Sequence, residues 1–295
     1  MKKLRIIFAM SFITLFFTTL ASLSAVNNTF MMNDSTRVNK SQFNPKYSDV
    51  PYYGKHSVGL SYAHICLPRN PSQISTFSGI YELEGNFWVS KTTKVKVSIP
   101  YTSFSYKYNY YTTTEINSST IGNVTLGIEQ LFGKSLNTTI SGGITLPSIN
   151  EDNAESFPIY ADYINIHKYL PNSLTSYLNI SSNSSKTEAV YGGGSFGFTL
   201  LIPTESRNDS ELLLNYKGTI GHEDENIGLS ASLLGMMIIT EDNIELSDRF
   251  LNYANFEIHY NGEFLQPQIF CQLPLRDSFR KRIDLLLGLK LNVFF

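Results

Sequence analysis

The last thirteen residues, IDLLLGLKLNVFF (283–295), alternate with a period of two. Ile283, Leu285, Leu287, Leu289, Leu291, Val293 and Phe295 fall on one face, and Asp284, Leu286, Gly288, Lys290, Asn292 and Phe294 on the other. Successive side chains of a strand point to opposite sides. A run this long with charge on one side only therefore fits a strand with lipid against one face and a polar lumen against the other. A strand of a soluble sandwich alternates as well, but rarely ends a chain on an aromatic pair.

Eleven more segments repeat the pattern, near 57–67, 76–90, 94–106, 120–132, 136–148, 174–183, 187–202, 210–221, 227–239, 250–260 and 264–274. If residue 57 lies in the periplasm, the gaps that follow alternate between short and long. This is the arrangement of outer-membrane barrels, with tight periplasmic turns and longer extracellular loops. The segment LTSYLNISSN (174–183) is the most polar of the set. Without it the count is odd and the C-terminus falls outside. The expected fold is all-β, a single transmembrane antiparallel β-barrel of about twelve strands over residues 57–295. Terminal Phe295 after such alternation resembles the C-terminal signal of these barrels, so outer-membrane lipid and the barrel-assembly machinery are the expected partners.

Upstream, Lys2, Lys3 and Arg5 precede an apolar stretch from Ile6 to Leu20 and small residues through Ala25. This is the layout of a secretory signal peptide, assigned to residues 1–25. Residues 26–56 are polar, rich in Asn and Ser and broken by Pro45 and Pro51. They read as a periplasmic leader or as a plug for the lumen. Removing the signal leaves 20 basic against 25 acidic residues, a poor surface for nucleic acid. Low charge (16%) and many aromatics (18 Tyr, 20 Phe) favour strands and turns over helices. Beyond the signal there is no apolar run long enough for a transmembrane helix, so entry into a membrane requires a closed barrel. Cys66 and Cys271 would lie two strand spacings apart, roughly 10 Å, which is beyond disulfide reach. Two free thiols are expected.

Several stretches carry a family likeness: NFWVSKTTKVKVSIPYTSF, IGNVTLGIEQLF, GGITLPSIN, PQIFCQLPL and DLLLGLKLNVFF. Taken in order they resemble the outer-membrane proteins grouped as the meta-pathway of phenol degradation family. The resemblance implies uptake of aromatic or other hydrophobic compounds. The family commonly has Gly-Asp before its fourth strand, where this chain has Gly122-Asn123.

Parity assigns an inward set: Glu82, Glu84, Lys94, Lys96, Glu129, Glu211, Lys217, Glu257, His259, Asp284 and Lys290. Glu82 and Glu84 stand on the strand next to Lys94 and Lys96, so cross-strand ion pairs are expected, with a selectivity ladder for a polar solute as the alternative. The aromatics Tyr106, Tyr108, Tyr110 and Tyr111 run into an outer loop, where they would be a solute's first contact at the pore mouth. Tyr101 to Tyr106 fit the interfacial girdle of a barrel, and Phe87 and Trp88 its periplasmic counterpart. The loop from Ile149 to Ser173 contains SFPIYADYINIHKYLP, an aromatic and aliphatic mixture that fits a short helix or lid.

Catalytic and metal chemistry find little support. Of the five histidines only His64 has lipid-facing parity near the extracellular end, where an outer-membrane lipid hydrolase would work, and no matched serine motif is readable. No His or Cys cluster has ligand spacing; HEDEN (222–226) reads as a solvated turn. No enzyme activity, catalytic residue, cofactor or metal is expected. The function read from the chain is a channel or transporter for small, hydrophobic or aromatic compounds, with a structural or surface-interaction barrel without transport as the alternative and a lipid-modifying outer-membrane enzyme as the third reading.

Overall fold

The computed structural model describes residues 55–295 apart from 68–72, 75–77, 110–112, 133–136, 150–161, 185–189, 205–208, 241–244 and 282. The assigned signal peptide and nearly all of the 26–56 segment lie outside the described residues, as do Tyr110 and Tyr111.

The strands in chain order are β1 (Ser57–Cys66), β2 (Gln73–Ile74), β3 (Gly79–Trp88), β4 (Thr93–Asn109), β5 (Thr113–Ile121), β6 (Thr125–Phe132), β7 (Thr138–Thr145), β8 (Ser173–Asn183), β9 (Val190–Pro203), β10 (Glu211–Glu223), β11 (Ile227–Ile238), β12 (Phe250–Tyr260), β13 (Leu265–Pro274) and β14 (Leu285–Phe294). They build twelve staves. β5 and β6 are two halves of one stave, both paired with β4, and β2 adds two residues to β4 outside the ring. Every pairing is antiparallel, and β1 pairs with β14 to close the ring. Closure is what lipid demands, because an open edge would leave amide and carbonyl groups unsatisfied in hydrocarbon. The polar segment expected at 174–183 is β8.

Both chain ends of the barrel lie on one rim. There His56 and Phe295 exchange backbone hydrogen bonds of 2.9 Å in each direction. Their rings stand 5.9 Å apart, with Phe87 6.0 Å from His56 on the other side. The turns on this periplasmic rim are tight. At 224–226 the Asp224 carboxylate accepts the N–H groups of Asn226 and Ile227, both at 2.7 Å, which holds its pKa below the ordinary carboxylate value. HEDEN is thus a self-capped turn. On the opposite side, the stretch read as a loop at 107–119 is an extension of the β4–β5 hairpin, whose strands run to Asn109 and from Thr113.

The two faces of the wall separate as the alternation requires. Leu60, Leu83, Leu126, Phe196, Leu233, Phe256 and Leu289 are exposed outward, as befits a surface whose solvent is lipid. Tyr62, Tyr81 and Tyr101 stand side by side on the outer face, with centroid separations of 4.8 and 5.9 Å; aromatic rings of this kind belong at a membrane interface. Trp88 does not join the periplasmic girdle. Its parity on β3 turns it inward, where the Lys94 ammonium lies 5.5 Å from the ring centroid, in range of a cation–π contact. Asp284 is a second correction. The strand starts only at Leu285; before it a short helical turn (Asp277–Arg280) and the Ile283 N–H to Phe279 carbonyl bond bend the chain. Ile283 therefore tucks into the barrel and Asp284 is left exposed instead of lumenal.

One stave breaks the alternation. Between the pairs Tyr101–Ile121 and Ser98–Thr125, three residues (Gly122, Asn123, Val124) oppose two (Ile99, Pro100). Pro100 has no N–H to donate, and a bulge is the usual accommodation of proline in a sheet. The extra residue shifts parity by one, so Ile121 above the bulge and Leu126 below it both face lipid. A single uninterrupted strand over 120–132 would not permit this.

Two measurements test the architecture. Alkylation in denaturant without reductant adds two labels, on Cys66 and Cys271, both free thiols. Leu289→Arg, on the lipid face near the middle of β14, lowers unfolding free energy by about 2–4 kcal/mol in lipid, measured by denaturant titration of the refolded barrel.

Candidate functional site

The lumen is crossed by part of the loop between β7 and β8. A 3-10 segment, Tyr163–Lys168, and the turn that follows pass inside the barrel. Ile166 packs among Leu201, Leu213, Met236, Leu251 and Tyr253, the inward residues of β9 to β12. Tyr169 packs among Ala63, Ile65, Ile80, Phe104, Ile283 and Leu286, from β1, β3, β4 and the β14 end. The segment is therefore a crossbar with one end on each of two facing apolar patches. The aromatic and aliphatic mixture noted in the sequence supplies both anchors.

Its third attachment is Asn123, the bulge residue, which is fully buried. The Asn123 side-chain amide donates to the carbonyls of His167 (3.0 Å) and Leu170 (2.6 Å), and its Oδ1 accepts the N–H groups of Ser148 (2.9 Å) and Ile149 (3.1 Å). The Asn123 backbone N–H donates to the Lys168 carbonyl at 2.8 Å. Both donor and acceptor are used, so an amide is required; a carboxylate here would face two carbonyl oxygens with nothing to donate. This asparagine therefore pins the crossbar to the wall. Next to it, a Cβ on Gly122 would lie 2.7 Å from the Lys168 carbonyl oxygen and 2.6 Å from Pro100 Cγ, so only glycine lets the crossbar lie this close to the wall.

Most charges of the assigned inward set meet one another or the crossbar. Glu82 pairs with Lys168 of the crossbar at 2.5 Å and also accepts the Ser98 hydroxyl. Glu84 pairs with Lys290 on β14, 206 residues away in the chain. Glu129 takes both Lys94, at 2.6 Å, and Lys96. The expected pairing of Glu82 and Glu84 with Lys94 and Lys96 is thus replaced: across a closed barrel the crossbar and the far side of the seam come within reach. Near the periplasmic mouth His259 lies 3.4 Å from Glu257 and 3.7 Å from Glu223. Glu211 stands on the inward row of β10 at its extracellular end. Lys217 faces the lumen in the middle of the same strand, exposed. Tyr106 and Tyr108 fall within the β4 extension.

On the periplasmic side of the crossbar lies a cavity of about 400 Å³ bordered by Glu82, Glu84, Lys96, Lys168, Tyr177 and Lys217. Tyr177 reaches across the wall because Gly143 and Gly127 stand in its row; a Cβ on Gly127 would meet the Tyr177 hydroxyl at 2.3 Å. The apolar lumenal residues lie under the two ends of the crossbar, and the cavity is charged and polar.

No family model and no curated protein matches the chain. Solved structures do. The COG4313 outer membrane channel from Pseudomonas putida F1 superposes with a TM-score of 0.56 at 11% identity, over 84% of this chain and 100% of that one. The NanC porin gives 0.49 at 9% identity over 81% and 98%, and LpxR from Salmonella typhimurium 0.47 at 9% over 81% and 100%. At such identities the likeness is one of fold. The chain is a closed twelve-strand β-barrel of the outer-membrane type, similar in architecture to the COG4313 channel.

Asn123→Asp replaces two donated hydrogen bonds by repulsion, a change of about 1–3 kcal/mol in crossbar docking. Limited trypsin treatment of the folded barrel then cuts after Lys168, where the original protein resists.

Proposed function

We propose that this barrel is a passive outer-membrane channel for small, predominantly apolar compounds, narrowed by its own crossbar. The observation that carries the reading is the crossbar itself, seated across the lumen on two apolar patches with a cavity behind it. The apolar lumenal side chains gather under the two ends of the crossbar, and a compound with an apolar body that takes the place of part of the crossbar is desolvated there at least cost. The aromatic character implied by the family resemblance is compatible with such walls and is one instance of this solute class.

A structural barrel with a blocked lumen is the second reading, favoured by the same crossbar and by the lumenal ion pairs that brace the wall. Against enzymatic function stand the contacts of the one histidine placed for lipid chemistry. His64 Nδ1 lies 2.9 Å from the Ser78 carbonyl oxygen, while the Ser78 hydroxyl is itself engaged by the Ser105 backbone. The outer-membrane assembly machinery, engaging the strand that ends in Phe295, is the partner we assign to biogenesis.

Liposome swelling and single-channel recording decide between the first two readings. The original barrel should pass small solutes slowly, and Asn123→Ala, with its crossbar unpinned, should raise conductance several-fold. A folded variant as impermeable as the original, with trypsin showing the crossbar released, would sink the channel reading in favour of the blocked barrel.

A further inference from the structure

Around the cavity behind the crossbar the charges do not cancel. Glu82 is matched by Lys168 and Glu84 by Lys290, while Glu129 is shared between Lys94 and Lys96. Lys217, which also lines the cavity, has no ion-pair or hydrogen-bond partner among the described residues. Among the side chains that line the cavity, three lysines (Lys96, Lys168 and Lys217) stand against two glutamates (Glu82 and Glu84), an excess of one. Asp162, the acid of the crossbar, is not among the residues lining the cavity; its carboxylate accepts both bonds from Asn165, each 3.0 Å. The carboxylates of Glu223 and Glu257 are gathered on His259 at the periplasmic mouth.

An unpartnered ammonium facing a cleft raises the local concentration of anions, and basic side chains are the usual basis of anion preference in pores. Neutral groups complete the lining: the hydroxyls of Tyr177 and Ser195 and the amides of Asn179 and Asn215. Above lie the apolar patches that hold the crossbar.

We propose that the cavity is a binding station for a small organic monoanion, a short-chain carboxylate whose head meets Lys217 while its apolar tail lies toward the crossbar. This deepens the channel reading and rests on it for the route of entry, though the site itself exists whether or not the lumen conducts.

The test is calorimetric titration of the full-length barrel in detergent with butyrate, butyramide and butylammonium, which share a chain and differ in charge. Butyrate should bind saturably, butyramide weakly and butylammonium not at all. Lys217→Gln should weaken butyrate by at least about tenfold, the loss of a charge-assisted hydrogen bond, and leave butyramide unchanged; Lys217→Arg should retain most of the affinity. Equal binding of butyrate and butyramide, or a Lys217→Gln barrel that binds butyrate as before, overturns the site. Planar-bilayer reversal potentials in a potassium chloride gradient separate the two readings. A conducting barrel with no preference for chloride overturns the anion site and leaves the channel standing. Absence of conductance with intact, Lys217-dependent butyrate binding supports the site and overturns the channel.

Discussion

Everything in this molecule follows from the need to satisfy backbone hydrogen bonds in a medium that supplies none. That need closes β14 onto β1 and β6 onto β4. Pro100 sits in β4 and has no N–H, so the ladder must yield at that point. The accommodation is the bulge at Gly122, Asn123 and Val124, which turns one side chain out of register. That side chain holds the crossbar. A local defect in the wall is thus the anchor for the element that shapes the lumen, and the cavity behind it exists because the crossbar is held close to β3 and β4.

The wall was legible in the sequence because a barrel imposes its period on every stave. Lipid on one face and lumen on the other leave few exceptions over a strand. Even the polar run 174–183 kept enough of the pattern, with Leu174, Leu178 and Ile180 on one side. Parity also found Glu82, Glu84, Lys94, Lys96, Glu129 and Lys290 as inward residues. It failed where the period stops. Asp284 was misplaced because the chain at Ile283 is no longer strand, and the phase change at Gly122 leaves no mark on the hydrophobic pattern.

The ion pairs and the anchor were beyond sequence reasoning for a different reason. Nearest-neighbour logic assigns Glu82 to the lysines of the adjacent strand, but its partner is Lys168, 86 residues away. Closure and an inserted loop create proximities that no periodicity encodes. The sequence holds two signals of the anchor. The apolar content of the 149–173 loop is unusual for a segment meant for solvent, and Gly122-Asn123 puts an amide beside a glycine next to Pro100 of the neighbouring strand. Together they name both parts of the latch, though only the structure shows that they meet.

The crossbar also carries a consequence for the order in which the protein is built. Its Tyr169 end rests on residues of β1, β3, β4 and the β14 end, and its Ile166 end on β9 to β12. The first seat draws on staves from both sides of the β1–β14 seam, and the second on four staves across the ring. The crossbar therefore has no finished resting place until the last strand has joined the first. Contacts between residues so distant in sequence form late. The seating of the crossbar is thus coupled to ring closure, and loosening the β1–β14 seam loosens the crossbar with it.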